Sequence, residues 1–469
     1  VWFIPKFGKA GQMGLKRVIG IFFDQYPNER LDLFQAFPAL KQILQRRKLH
    51  ASIRTIGDVV FTFIILSGLF GPQDPHENIV IFLSWGLWWP SMVLSWFFVG
   101  RMWCGFCPFP GLGRVLQRLG WVRYRPVPRW LQKYGIYWAV FLFAVIIWLE
   151  ESMGIKESPR ATALLILAIL GGATFFSILY PLQAWCRYLC PMGRITGVAS
   201  TMSMTEFRPD HSICKGCTSF ACKRGRDGER GCPVYLGAFG VTNNLDCLIC
   251  GRCVSLCDKN SPRINFRSPF AELLISKGRY ITCSYIIPLL LASQLARFMD
   301  AGILKAFEPA DYSTAYRMAM FSGLLLFWFV MTVMFLKLGA KVFGTTEDEL
   351  FGRFSPMVPV FVPTAFAGEL VCRLNYALHE AQFFFPTLGR QFGLDLSSWE
   401  FHVPFWIYPL LDLFLVISSV AAGLHVLHRL VYGDFYGLVS PLRHRLCELL
   451  VYGMGATYII LLPFWYAPI

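Results

Sequence analysis

The sequence predicts a mainly α, polytopic membrane protein of about nine spans, interrupted by one long polar insert. Three observations carry that expectation. Of 469 residues, 55% are hydrophobic and only 16% charged, where soluble domains hold about a quarter charged residues. The mean hydropathy is +0.48. Apolar runs near or beyond about 18 residues, the length that crosses a hydrocarbon core, recur along the chain.

The candidate spans are 55–71, 79–100, 134–149, 162–182, 280–297, 315–337, 363–385, 403–427 and 447–466. Loop charge orients them, because Lys and Arg are retained on the cytoplasmic side. Residues 1–52 hold nine Lys or Arg against three acids and no signal-peptide-like core. They read as a cytoplasmic basic lead-in whose Phe and Leu side chains lie along the membrane surface. The 101–133 loop has seven basic residues and no acid, and the 183–278 insert is also rich in Arg and Lys. By contrast, 71–78 carries only Asp74 and Glu77, and 298–314 has one Lys against three acids. The expected arrangement is multi-pass in a bacterial inner membrane, with the N-terminus and insert cytoplasmic and the C-terminus outside. The 338–354 loop is balanced by Glu347, Asp348 and Glu349 and gives no orientation. A net charge of +15 would suit nucleic acid. These charges flank spans, however, and no nucleic-acid motif accompanies them, so lipid rather than nucleic acid is the expected partner.

Fifteen cysteines carry the chemistry, and eight fall within 44 residues. Cys247, Cys250, Cys253 and Cys257 follow C-x2-C-x2-C-x3-C, the spacing of a bacterial-type [4Fe–4S] ligand run. Short steps let three thiolates grip one cube, while the fourth turns to the other cluster. Cys214, Cys217, Cys222 and then Cys232-Pro233 repeat the scheme with an x4 step. Crossed ligation assigns Cys214, Cys217, Cys222 and Cys257 to one cluster, and Cys247, Cys250, Cys253 and Cys232 to the second. Structural zinc and disulfides compete for the same thiols. Zinc does not need this spacing, and disulfides do not suit the reducing side. The fold class is therefore a polytopic helical protein with an inserted bacterial-type 2[4Fe–4S] ferredoxin segment. Its parts are 1–52 (lead-in), 53–200 (four-span unit), 201–275 (insert) and 276–469 (about five further spans). Lys215, Lys223, Arg224, Arg226, Arg230 and Arg252 surround the ligands. They continue the cytoplasmic bias, raise cluster potentials and suit an acidic soluble electron carrier.

Two more pairs follow the second and fourth spans. Trp103-Cys104-Gly105-Phe106-Cys107-Pro108 and Trp185-Cys186-Arg187-Tyr188-Leu189-Cys190-Pro191 lie 82 residues apart, cysteine to cysteine. The first four spans thus read as two copies of a two-helix unit that brings the pairs to one depth. Cys104, Cys107, Cys186 and Cys190 are candidates for a third metal or iron–sulfur centre. They also read as dithiol redox pairs or as turns in which Pro and Gly merely end helices.

This combination resembles the NapH/NosR-type membrane polyferredoxins over roughly residues 55–275. The first pair is one residue shorter than the family's usual form. The resemblance implies an iron–sulfur electron-transfer subunit of a membrane redox complex, quinol dehydrogenase-like, with other subunits as partners. It would move electrons between the quinone pool or a cytoplasmic donor and a membrane or extracytoplasmic acceptor. A second function class is an assembly factor that reduces copper or client thiols at the four membrane-surface cysteines. No catalytic residue is assigned.

Beyond 275 the residues speak alone. At about 100° per residue, Glu369, Arg373, Tyr376 and Glu380 share a stripe, with His379 beside it. Asp412 lies in the next span and His402 near its end. Charges in a span are functional hypotheses by default. These seven residues form a candidate quinone or proton site, with haem b between His379 and His402 the less favoured reading. Structural packing of the two helices accounts for them equally. Cys283, Cys372 and Cys447 read as small apolar fillers.

Overall fold

The computed structural model describes residues 17–23, 29–123, 125–275, 280–301, 313–345, 347–432 and 439–465. Residues 1–16 and 24–28 of the basic lead-in, much of the 298–314 loop and the last residue of the final candidate span fall outside these ranges. The fold is mainly α and polytopic. Among the described residues, eight helices are long and apolar enough to cross a membrane: Lys48–Phe70, Ile79–Val99, Arg129–Ser152, Pro159–Leu179, Thr314–Phe343, Met357–Ala381, Ile407–Tyr432 and Pro441–Leu462. They are the first to eighth spans below.

The ninth candidate is a shorter apolar helix, Cys283–Met299. At about 1.5 Å per residue its 17 residues rise about 26 Å, short of a hydrocarbon core of about 30 Å. Nearly all of it is buried, so protein rather than lipid surrounds it. Local chemistry sets several span starts. Asn78 accepts from Val80 N at the second span, Ser158 from Ala161 N at the fourth, and Ser313 from Tyr316 N at the fifth. Each satisfies an orphan helix-end donor.

The sixth span is displaced from the expected 363–385 to Met357–Ala381, and 83% of its apolar window is buried. Its polar residues are tolerated because neighbouring helices wrap it. Arg373 bonds both carboxylate oxygens of Glu150, one through Nη1 and the other through Nη2 at 3.0 Å; its Nε donates to Glu369 at 2.8 Å. Arg297, at the end of the short helix, reaches Glu369 at 3.4 Å and Glu151 at 3.4 Å, and Lys156 closes on Glu151 at 3.0 Å. Three carboxylates thus face three cations. The network ties the third span to the sixth and to the short helix, at the end away from the cysteine loops. One apolar core accordingly runs through both parts, from Trp96 and Phe143 to Leu290, Val360 and Val426.

The insert is closed by an antiparallel pair, Thr205–Pro209 with Pro262–Phe266. Arg267, buried at its exit, donates to Ser203 O (2.9 Å) and Ser200 O (3.1 Å) and contacts Glu206 and Glu272. The lead-in differs from expectation. Leu31–Asp32 adds a third strand against Asn265 and Phe266, and Phe34, Leu33, Leu40 and Leu44 pack on the insert's core. These side chains cover Phe207, Ile249, Val254 and Ile264 instead of lying on the membrane, because the small insert cannot bury its apolar face alone.

Replacing Arg373 by Met is expected to destabilise the protein strongly. It leaves Glu150 and Glu369 sharing Arg297 in an apolar interior, and a broken buried pair costs about 3–5 kcal/mol. Thermal unfolding of the purified protein, followed by tryptophan fluorescence, checks this; an unchanged midpoint would show the network to be dispensable.

Candidate redox site: three sets of four thiols

All fifteen cysteines are free thiols. In the insert, Cys214 lies among Cys217, Cys222 and Cys257 and interacts electrostatically with each. Cys247 faces Cys250 and Cys232, and Cys253 faces Cys232 and Cys250. These contacts pair thiols within each of the two sets named from the spacing. The groups touch where Cys253 hydrogen-bonds Cys222.

Backbone geometry aims N–H groups at the sulfurs. Ile249, between Cys247 and Cys250, adopts φ 48°, costly for a β-branched residue, and its N–H points at Cys247 Sγ at 3.5 Å. Ala238 N donates to Cys222 Sγ at 3.3 Å, and Cys214 Sγ lies 3.1 Å from Ser261 Oγ. Donors held on sulfur favour the thiolate, and around a bound cluster they raise its potential.

The duplicated pairs form a third group. Each copy is a span followed by a five-residue helix, Met102–Phe106 or Ala184–Tyr188, with its first cysteine in third place. The second cysteine precedes a proline, and another helix follows: Gly111–Arg118 or Pro191–Ala199. This symmetry brings Cys186 against Cys190, Cys107 and Cys104. The one-residue difference is absorbed at Leu189, and Cys190 Sγ accepts from Gly193 N at 3.3 Å. Cys104 Sγ lies 3.3 Å from Thr196 Oγ1.

Arg101 organises this group and is buried. It donates to Leu245 O of the insert (2.7 Å) and to Cys186 O of the second copy (3.5 Å). Its Nε has no hydrogen-bond partner among the described residues. Burial alone would depress its pKa, but Cys104, Asp246 and Cys190 outweigh that and raise it. Arg114 and Arg194 also interact with thiols of the group. The charge is buried and mostly positive, so the space between the thiols suits an anionic occupant. A cubane bound by four thiolates is such an anion.

Glycines permit the close approach of the third group to the insert. A Cβ at Gly105 would strike Cβ of Cys250, and one at Gly197 would lie 2.8 Å from Leu245 O. His50 Nε2 lies 2.9 Å from Cys250 O, and Arg54 donates twice to Gly105 O (3.2 and 2.8 Å). The three groups therefore stand in series: Cys214/217/222/257, then Cys232/247/250/253, then Cys104/107/186/190. Among the described residues, no three His, Cys, Asp or Glu side chains form a ready mononuclear cage. Such a cage needs every sulfur about 2.3 Å from one ion, whereas a cubane spreads its ligands over four irons.

The C-terminal candidates do not assemble into one site. Glu369 and Arg373 are consumed by the buried ion network. Tyr376 donates to Lys156 O at 3.2 Å. His379 is largely exposed beside Glu380 (3.4 Å), while exposed His402 lies 3.9 Å from Glu400. Asp412 is buried and accepts from Asn375 Nδ2 at 2.8 Å. Cys283 and Cys447 are buried in the apolar core, and Cys372, also buried there, adjoins Arg297, Glu369 and Arg373 of the ion network. Sequence reading missed the partners of Glu369 and Arg373. Their signal was present, since Glu150, Glu151 and Arg297 are charges at the ends of apolar runs.

A different feature lies in the membrane beside the third group. A cavity of about 290 Å³ is bordered by the four cysteines, Trp88, Trp103 and Met192. It shares those apolar walls with a cavity of about 250 Å³ between the first, second and fourth spans. Ser84 and Trp89 line the latter, and Ser84 Oγ and Trp89 Nε1 are buried without partners among the described residues. Phe82–Trp88 there winds as a π-helix, a distortion frequent at functional sites.

No family model and no solved structure matches this chain. An uncharacterised protein of Methanocaldococcus jannaschii is 28% identical over 176 residues, 36% of this chain and 66% of that protein. NirI of Paracoccus denitrificans is 26% identical over 231 residues, 44% of this chain and 31% of NirI. The Escherichia coli protein named "Putative electron transport protein YccM" is 25% identical over 174 residues, 32% of this chain and 46% of that protein. The chain thus spans less than two thirds of each of these relatives.

Thiol reactivity in metal-free protein checks the site's electrostatics. The hydrogen bond from Cys253 holds Cys222 down at about 6. Burial and nearby thiols push Cys190 up to about 11 and Cys247 up to about 12. Only the thiolate is alkylated, so Cys222 should reach its full rate by about pH 8. Cys190 and Cys247 should still be accelerating at pH 10. Identical pH profiles, read by mass spectrometry, would contradict the arrangement.

Proposed function

We propose that this chain is a membrane electron-transfer protein whose three thiol sets are the ligands of three [4Fe–4S] centres in series. The observation that carries this reading is the contact of Gly105 with Cys250. It presses the four-thiol group between the spans onto the second ligand loop of the insert. Distant similarity to a protein named for electron transport agrees with it, as does the NapH/NosR-type arrangement of the motifs.

When bound, a cubane takes up and releases one electron without a large change in shape. The chain's own residues do the rest. Twelve cysteines would hold the centres; Ile249 N, Ala238 N and Gly193 N donate to sulfur. Arg101, Arg114 and Arg194 supply buried positive charge that favours the reduced, more negative form. Burial keeps water from the inner groups, and the Gly105 and Gly197 contacts hold the second and third groups close. Two zinc sites or disulfides would leave the serial packing of the four-thiol group unexplained.

The maturation alternative requires a reactive thiolate at Cys104, Cys107, Cys186 or Cys190. Burial and neighbouring thiols push Cys107 and Cys186 up, which disfavours the free thiolate that thiol exchange needs. The membrane end of the route is better placed in the crevice beside these cysteines than on the 369–412 stripe. Its apolar walls suit an isoprenoid quinone, and Ser84 and Trp89 offer free donors to a quinone carbonyl. By the Lys and Arg bias of the loops, the insert faces the cytoplasm and a soluble donor or acceptor.

Iron and acid-labile sulfide should each total about twelve per chain. Changing Cys104, Cys107, Cys186 and Cys190 to Ser should remove about four of each and leave the insert's eight. About eight in the unmodified protein, unaltered by those changes, would reduce the reading to two centres. Zinc in place of iron would end it.

A further inference from the structure

A second cavity, of about 490 Å³, opens where the insert meets the ends of two spans. Val127 and Pro181 border it, two residues from Arg129 of the third span and Leu179 of the fourth. The cavity therefore lies at the level of the membrane surface, on the side of the insert. Arg187, Lys223, Arg224 and Arg230 line it, and no Asp or Glu does. Lys223 sits over the Tyr235 ring at 4.3 Å and Arg224 over Phe220 at 5.6 Å. No salt bridge is recorded for Arg187, Lys223 or Arg224 among the described residues. Arg187 donates to Val234 O at 3.3 Å and Arg230 to Gln117 Oε1 at 2.9 Å; positive charge concentrated in this way is unfavourable unless an anion completes it.

A further polar group points to the identity of that anion. Gln183 is 8% exposed and borders the cavity, and its Oε1 has no partner among the described residues. An acceptor beside a cluster of cations asks for a ligand that carries both a negative group and a hydroxyl. Phosphate diesters of glycerol have both, and bilayers supply them at this depth. Basic pockets between spans on the cytoplasmic side are recurrent sites for such headgroups.

We propose that this cavity binds the headgroup of an anionic glycerophospholipid, its phosphate among Arg187, Lys223 and Arg224 and its glycerol hydroxyl on Gln183. The lipid would fasten the insert to the bilayer beside Cys232, whose neighbours Gly231 and Pro233 also line the cavity. The inference is independent of the electron-transfer reading and concerns a separate surface.

Native mass spectrometry of the full-length protein, titrated with phosphatidylglycerol, phosphatidic acid or phosphatidylcholine of equal chain length, tests it. One phosphatidylglycerol should be retained preferentially over phosphatidylcholine. The double change Arg187→Gln with Lys223→Gln should weaken it about 30-fold, at about fivefold per lost cation, without affecting phosphatidylcholine. Gln183→Leu should weaken phosphatidylglycerol but not phosphatidic acid, which lacks the glycerol hydroxyl. Arg443→Gln, a basic residue outside the cavity, should change nothing. If the double variant does not assemble, Arg224→Gln replaces it, with an expected loss of about fivefold. Equal retention of the charged and zwitterionic lipids would overturn the proposal. So would indifference to the cavity variants, or displacement by millimolar inorganic phosphate, which would assign the site to a soluble ligand.

Discussion

The arrangement depends on one buried guanidinium. Arg101 directly follows the glycine that ends the second span and reaches two other parts of the chain, Leu245 O in the insert and Cys186 O in the second cysteine loop. A cation placed in so dry a location is costly, and two carbonyls do not neutralise it. What offsets the cost is Asp246 together with the thiols around it, and an anionic cluster held by those thiols would complete the compensation. The same residue thus fixes geometry and demands an anion. One other charge-assisted tie joins the second loop to the insert, from Arg187 to Val234 O at 3.3 Å.

The membrane part solves a related problem differently. Glu150, Glu151 and Glu369 are matched by Arg297, Arg373 and Lys156, so that network is neutral within itself and needs no ligand. It fastens the C-terminal spans to the third span far from the cysteines, leaving the cysteine end free to be shaped by its own chemistry. Balanced charge builds the frame, and unbalanced charge marks the ends of the proposed route. The basic cavity beside Cys232 belongs to the unbalanced class, like the Arg101 surroundings.

Much of this was legible in the sequence. Hydropathy located the long helices, and the cysteine spacing anticipated that the eight thiols of the insert lie together. The duplicated Trp-Cys and Cys-Pro pattern anticipated the meeting of Cys104, Cys107, Cys186 and Cys190. What was not legible was pairing between distant segments. Nothing local says that Leu31 becomes a strand on Phe266, or that Phe34 covers the insert, because a two-residue strand has no periodicity to read. The stripe Glu369, Arg373, Tyr376 and Glu380 was real as a stripe. Arg373 found Glu150, 223 residues earlier, and Glu369 found Arg297, 72 residues earlier, and periodicity within one helix cannot reveal that. The crevice at Ser84 and Trp89 was likewise hidden, since a π-turn leaves no mark in an apolar run.

The account's central claim is that three centres lie in contact order within one chain. Electron paramagnetic resonance of the fully reduced protein addresses it directly, because neighbouring paramagnets broaden and split one another's signals. The account predicts an interaction-broadened spectrum that simplifies when Cys104, Cys107, Cys186 and Cys190 are all changed to Ser, with the insert's own coupled pair persisting. A spectrum of isolated, unbroadened signals that is identical in the two proteins would contradict it.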